Sequence, residues 1–327
     1  MRRLIIIGSA LLLGGSVATA GSSQPVQGNR LGENVLPIPR LEQTRIVAEY
    51  GHRWAFLPSQ VPQSVRLRLR SWNIEPGSYG ALPRRLQLHF RAQRAELLWE
   101  VASADPSEAK DKATCEVARP SHRLNGRAVY SVGNVMAYIC VSVPGKPVDT
   151  ALAVSVRKLT SAPSIALSQL EQMVGSAVLP QPKSLVRGNR LVRTRDANAL
   201  RTSFGRFSPL PATLPTGFIY TRWQIANQTP YEPRTAYVMF GRDGRRLTWS
   251  VQPSGFSRYS NCPRSGTPRF AQRKKRIGSR TVYLGQGAVG QEAWICLGGS
   301  RPITVSAWND YSVTGATLMR VVASART

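Results

Sequence analysis

Two stretches of this 327-residue chain carry the same pattern, and a duplicated pattern of more than a hundred residues fixes the architecture before any single residue does. LPSQVP begins at Leu57 and LPATLP at Leu210, which aligns Pro62 with Pro215 and, further on, Trp72 with Trp223. An ungapped block sets LQLHFRAQRAELLWEV (Leu86 to Val101) against AYVMFGRDGRRLTWSV (Ala236 to Val251), matching Phe90 with Phe240 and Trp99 with Trp249. Cys115 answers Cys262, NGRAVY from Asn125 answers GSRTVY from Gly278, and AYIC ending at Cys140 answers AWIC ending at Cys296. Both copies close on apolar residues at helical spacing: Leu170, Val174 and Ala177 in the first, Leu318, Val322 and Ala325 in the second.

Within a copy the pattern is mostly alternation, as in SVRLRLRSW, RLQLHF, ELLWEV, RAVYSV, VMAYICVSV and ALAVSV, with Pro, Gly, Asn and Asp between the runs. The expected class is therefore α+β: two tandem homologous domains, each an antiparallel sheet of about five or six strands plus a C-terminal helix that covers one face. The expected boundaries are a signal peptide over 1–20, an N-terminal arm over 21–56, the first domain over 57–177, a basic linker over 178–208 and the second domain over 209–327. The linker, rich in Pro, Gly, Asn and Arg, lacks sustained periodicity, and the arm offers little to bury and reads as extended.

The first twenty residues place Arg2 and Arg3 before an apolar run from Leu4 to Val17 and end in Ala18-Thr19-Ala20, the layout of a secretory signal peptide cleaved before Gly21. The run is shorter than the ~20 residues of a spanning helix and holds Gly14 and Gly15, so the mature chain is expected to be extracytoplasmic, periplasmic or secreted, with no transmembrane anchor. Four cysteines in an oxidising compartment point to two disulfides. Bridges within each copy, Cys115 to Cys140 and Cys262 to Cys296, are the simplest of three connectivities, each worth roughly 3 to 4 kcal/mol on the chain-entropy argument. A zinc site is not expected, because no C-x-x-C occurs.

The order LP-x-G-F at Leu214 to Phe218, then FGRDGRRLTWSV, GSRTVYLG, AWIC and a closing helix resembles a small bacterial extracytoplasmic domain found on anti-sigma-factor ectodomains and in free secreted proteins. In outline it is similar to lipoprotein-carrier and sigma-E-regulator sensing domains. The resemblance implies binding or sensing and supplies no catalytic motif. The cysteine pair and the arginine content depart from that pattern.

Catalytic constellations are sparse. Gly285 to Gly290 spells G-x-G-x-x-G, but it lies between two strand-like segments, TVYL and EAWICL, and so reads as a hairpin loop, not a nucleotide cradle. His52, His89 and His122 are the only histidines, and none has a counterpart in the second copy. No Asp or Glu recurs at matching places, and neither G-x-S-x-G nor H-E-x-x-H is present. No catalytic residue, cofactor or metal is assigned. A secreted hydrolase would require His89 or His122 beside a carboxylate in a cleft. A lipid or hydrophobe carrier would require a roomy apolar cavity between sheet and helix. Trp72, Trp99, Trp223 and Trp249 recur and read as packing residues, whereas Trp54 and Trp308 have no counterparts and are the better candidates for a contact surface.

Charge is the remaining signal. The formal net charge is +27, and 37 of the basic residues are Arg against 7 Lys. Beyond the signal peptide most of it falls in the second half: residues 176 to 327 have a net charge of +18. Arg264, Arg269, Arg273, Lys274, Lys275, Arg276 and Arg280 crowd a loop inside the second expected disulfide with no acid among them, and Arg66, Arg68 and Arg70 alternate along a strand. Guanidinium forks suit phosphates, sulfates and carboxylates, so the expected partner is an anionic polymer, a lipid headgroup or an acidic protein surface. Sequence-specific nucleic-acid recognition is not expected, since no reading module is present. The resulting expectation is a non-enzymatic binding protein, competing with the plainer reading of a solvated basic face.

Overall fold

A computed structural model describes residues 37–62, 65–75, 85–93, 95–103, 120–142, 151–159, 165–181, 188, 191–205, 208–228, 234–253, 262, 271–287, 290–298, 303–309 and 313–326. Their elements, in chain order, are α1 (Arg40–Tyr50), β1 (Leu57–Pro58), β2 (Arg68–Glu75), β3 (Arg85–Ala92), β4 (Ala95–Ser103), β5 (His122–Leu124), β6 (Arg127–Val132), β7 (Met136–Ser142), β8 (Ala151–Lys158), α2 (Leu167–Gly175) and β9 (Ala177–Val178). The second half follows with α3 (Thr194–Phe204), β10 (Leu210–Pro211), β11 (Ile219–Ala226), β12 (Thr235–Arg242), β13 (Arg245–Pro253), β14 (Ala271–Ile277), β15 (Arg280–Gly287), β16 (Gly290–Leu297), β17 (Ile303–Asn309), α4 (Gly315–Ala323) and β18 (Ala325–Arg326).

Two seven-stranded antiparallel sheets dominate. Their strand orders are β2-β3-β4-β8-β7-β6-β5 and β11-β12-β13-β17-β16-β15-β14, the same path drawn twice. Each sheet is larger than the expected five or six strands, because the short β5 and the charged β14 each extend an edge that the apolar pattern alone does not mark. One closing helix per copy also undercounts the helices. α1 lies in the expected arm, which is therefore not wholly extended, and α3 lies in the expected linker.

The hairpins follow from local chemistry. Asn125-Gly126 (φ 50° and 77°) and Asp243-Gly244 (φ 45° and 82°) supply the two positive-φ residues that a two-residue turn between twisted strands requires. The glycine-rich GQGAVG segment is indeed shared between two antiparallel strands, Gly287 of β15 pairing with Gly290 of β16. Along β3, Leu86, Leu88 and Phe90 turn into the first core, and along β13, Leu247, Trp249 and Val251 turn into the second. α2 lies over β6, β7 and β8, and α4 over β15, β16 and β17. Their fully buried Leu170 and Val174, and Leu318 and Val322, seat on those cores.

The two halves are fastened by matching devices. Trp99 donates its indole N–H to the Phe56 carbonyl at 3.0 Å, and Trp249 donates to the Pro209 carbonyl at 2.9 Å, each acceptor standing one residue before its Leu-Pro pair. That pair then forms a two-residue ladder with the chain just past the closing helix, β1 with β9 and β10 with β18. Arg127 donates to the Ala177 carbonyl, and Arg280 to the Ala323 carbonyl at 2.8 Å. Cys262 and Cys296 form a disulfide across 34 residues. Cys140 is also disulfide-bonded, and Cys115 lies outside the described residues.

Candidate functional site

β14 is the outer strand of the second sheet, with β15 its only neighbour among the described residues. A stretch that reads in sequence as a basic loop is a strand, because Arg273 to Ile277 register continuously against Leu284 to Arg280. All five residues from Gln272 to Arg276 are exposed. Residues directly opposite in a ladder share a face. Arg273 and Lys275 oppose Leu284 and Val282, which point into the second core, so these two cations take the α4 side. Lys274 and Arg276 oppose Tyr283 and Thr281 and take the other side, where the Tyr283 ring stacks on Trp294 with centroids 5.8 Å apart. Among the described residues no carboxylate pairs with any of the four.

The other expected cations are dispersed. Arg264 and Arg269 lie outside the described residues. Arg280 spends a guanidinium N–H on the α4 terminus. Arg66, Arg68 and Arg70 are exposed and alternate with buried Leu67 and Leu69, but Arg66 precedes β2, and Arg70 lies 3.6 Å from Glu96, which also pairs with Arg91 at 3.2 Å. That array is partly neutralised, whereas among the described residues β14 is not.

A second ionic cluster is buried, and sequence inspection gives no hint of it. Glu49, at the end of α1, has no exposed surface. Its carboxylate accepts two hydrogen bonds from the Arg222 guanidinium, at 3.1 and 3.2 Å, and one from the Thr221 hydroxyl at 3.0 Å, with Arg246 3.8 Å away. Burial alone raises the carboxyl pKa, but Arg222, then Arg246 and Thr221, outweigh it and hold Glu49 below the ordinary 4.5. Arg222 also donates to Asn73 of β2 at 3.1 Å and lies over the Trp72 ring, whose N–H is taken by Glu42 at 2.9 Å. At the rim, the His52 backbone N–H and ring Nδ1 meet Asp243 at 3.0 and 2.6 Å. Partial burial raises the Asp243 pKa, but His52 lowers it further, and the group ends below 3.8.

The cluster exists because α1 sits between the halves. Its Ile46, Val47 and Tyr50 belong to the first core, while its backbone lies on β11, β12 and β13. A Cβ at Gly241 would stand 2.7 Å from the Ala48 carbonyl, so only glycine admits this approach.

Among the described residues the histidines form no nucleophile-base pair. Glu171 accepts from the Ser131 hydroxyl at 2.6 Å and lies 3.8 Å from His122 Nε2, which puts the carboxylate, not an imidazole, on the serine. Burial, with Arg70 and Arg157, lowers the His89 pKa below 6.5 against the pull of Glu96. The two tryptophans expected to be free for contact are occupied: Trp54 packs against the first core, and the Arg246 guanidinium lies 5.6 Å above the Trp308 ring.

No family model and no curated protein matches this chain. Among solved structures it is similar to MucB in a crystal structure with MucA(peri), at 14% identity and a TM-score of 0.26 over 88% of this chain and 98% of that one. It is also similar to the complex structure of Pseudomonas aeruginosa MucA/MucB, at 12% identity and a TM-score of 0.23 over 88% and 97%. So loose a superposition assigns no residue of this chain a role. Among the described residues no helix is long and apolar enough to cross a membrane.

Proposed function

We propose that this chain is an extracytoplasmic, non-enzymatic binding protein that takes an anionic partner on the cationic surface of β14. One observation carries the reading: four consecutive basic side chains, all exposed and none neutralised within the described structure, on an outer strand. Charges that a protein uses only to stay soluble are ordinarily interspersed with the opposite sign, as Arg70 and Arg91 are with Glu96. The Cys262–Cys296 disulfide fits export, as does the signal peptide read at residues 1–20. The matched tryptophan, arginine and Leu-Pro devices favour an origin by duplication, with each unit starting at its own helix, α1 or α3, instead of at Leu57 or Leu210.

The test is retention of the purified chain on immobilised heparin and on vesicles containing anionic lipid, across a salt series. Binding is expected to weaken steeply as salt rises, since each neutralised anion releases counterions. A quadruple variant with Arg273, Lys274, Lys275 and Arg276 changed to Glu is expected to elute at much lower salt. Indifference of the native chain to both matrices at low salt, or unchanged elution of the variant, overturns the reading.

A further inference from the structure

We infer that β14 is a docking edge for an extended acidic peptide segment, which adds to the second sheet as an eighth strand. The inference rests on the anionic-partner reading and narrows it to one class of occupant. A polymer lying on a flat basic patch needs cations on one face only. β14 carries them on both, Arg273 and Lys275 on the α4 side and Lys274 and Arg276 opposite. A strand added beside β14 alternates its own side chains between the same two faces, so a run of consecutive acidic residues meets a cation at every position. Main-chain hydrogen bonds to the open edge supply affinity that does not depend on charge.

The geometry of the two sheets supports this. An open sheet edge is a hazard that proteins blunt by shortness or by charge. The strand at the same place in the first sheet, β5, is blunted by length, with only three residues, His122–Leu124. β14 keeps seven, and its register irregularity is confined to one end, between Ala271 and Arg273, leaving Arg273 to Ile277 regular. Like charges opposed across a ladder repel, so two copies of β14 do not pair with each other, while an acidic strand is admitted. The edge is therefore closed to self-association and open to one complementary class of segment.

The probe is a blocked octapeptide with four central glutamates, titrated into the intact disulfide-bonded protein at low salt, alongside an analogue of equal charge N-methylated at two consecutive central residues. Consecutive amides of a strand face opposite sides, so the analogue has a blocked amide on whichever edge it presents to β14. Binding of the analogue weaker by roughly tenfold or more is expected, together with slowed amide exchange from Arg273 to Ile277 in the presence of the unmethylated peptide. The double charge reversals R273E/K275E and K274E/R276E are each expected to weaken peptide binding, because each removes one face. These exposed positions leave the fold intact, which the disulfide-bonded thermal transition verifies. Equal binding by the unmethylated peptide and its methylated analogue, or heparin binding without peptide binding, overturns strand addition and leaves the cationic surface standing. Absence of binding to heparin, vesicles and peptide alike removes both.

Discussion

Glu49 shows how much one buried carboxylate can decide. Removing a partner from a buried ion pair strands a charge, at a cost of about 3 to 5 kcal/mol. Arg222→Ala is therefore expected to lower the unfolding free energy by about that amount in urea titrations, and Arg246→Ala by less, since Arg246 lies 3.8 Å away where Arg222 donates twice. The pH dependence has a definite sign. Glu49 is held below 4.5 in the folded chain, so its contribution is whole above that value and is lost as pH falls through the lower folded value. Glu49→Gln should accordingly flatten the acid limb of the stability profile as pH falls below 4.5, and a variant as acid-sensitive as the native chain would contradict the assignment. None of this is legible in RIVAEY, which falls in the stretch expected to be an extended arm; the partner lies 173 residues away, and no local spacing encodes it.

Elements were legible where one face is wet and one dry. The strands with clean alternation and the stripes of α2 and α4 follow from sequence because burial there is one-sided. α1 escapes the same logic because it is covered from two directions: Gln43, Thr44 and Glu49 are buried along with Ile46, Val47 and Tyr50, which leaves no polar face to contrast with an apolar one. α3 escapes for the opposite reason, since only Ala197 and Leu200 of its eleven residues are buried. β14 is visible as charge and invisible as a strand, because pairing with β15 and not side-chain burial gives it its form. The fastenings make separate predictions. Trp249→Phe leaves the Pro209 carbonyl without its donor and should cost roughly 1 to 3 kcal/mol, with Trp99→Phe behaving alike at Phe56. Replacing Cys262 and Cys296 together by Ser should cost roughly 3 to 4 kcal/mol, read as a lower denaturant midpoint.

Among the described residues the two halves meet chiefly through α1, with Arg222 of β11 also reaching Asn73 and Trp72 of β2. Gly241→Ala tests that joint: its Cβ would meet backbone atoms of Ala48 and Glu49 at 2.7 to 2.8 Å, and backbone does not yield as a side-chain tip does. The variant should keep both sheets yet scatter X-rays as a larger, looser particle and be cut sooner by protease near α1. An unchanged radius of gyration and cleavage rate would show that the halves are held by other means. The placement of α1 also imposes an order of events in time. Synthesis runs from the N-terminus, and early segments fold before late ones exist. The first sheet can gather its own core, but the carboxylate of Glu49 must wait for Arg222, 173 residues downstream, before anything neutralises it. A copy truncated before that point leaves the Glu49 side of α1 facing water, so this helix is covered on both sides only once the second sheet has formed.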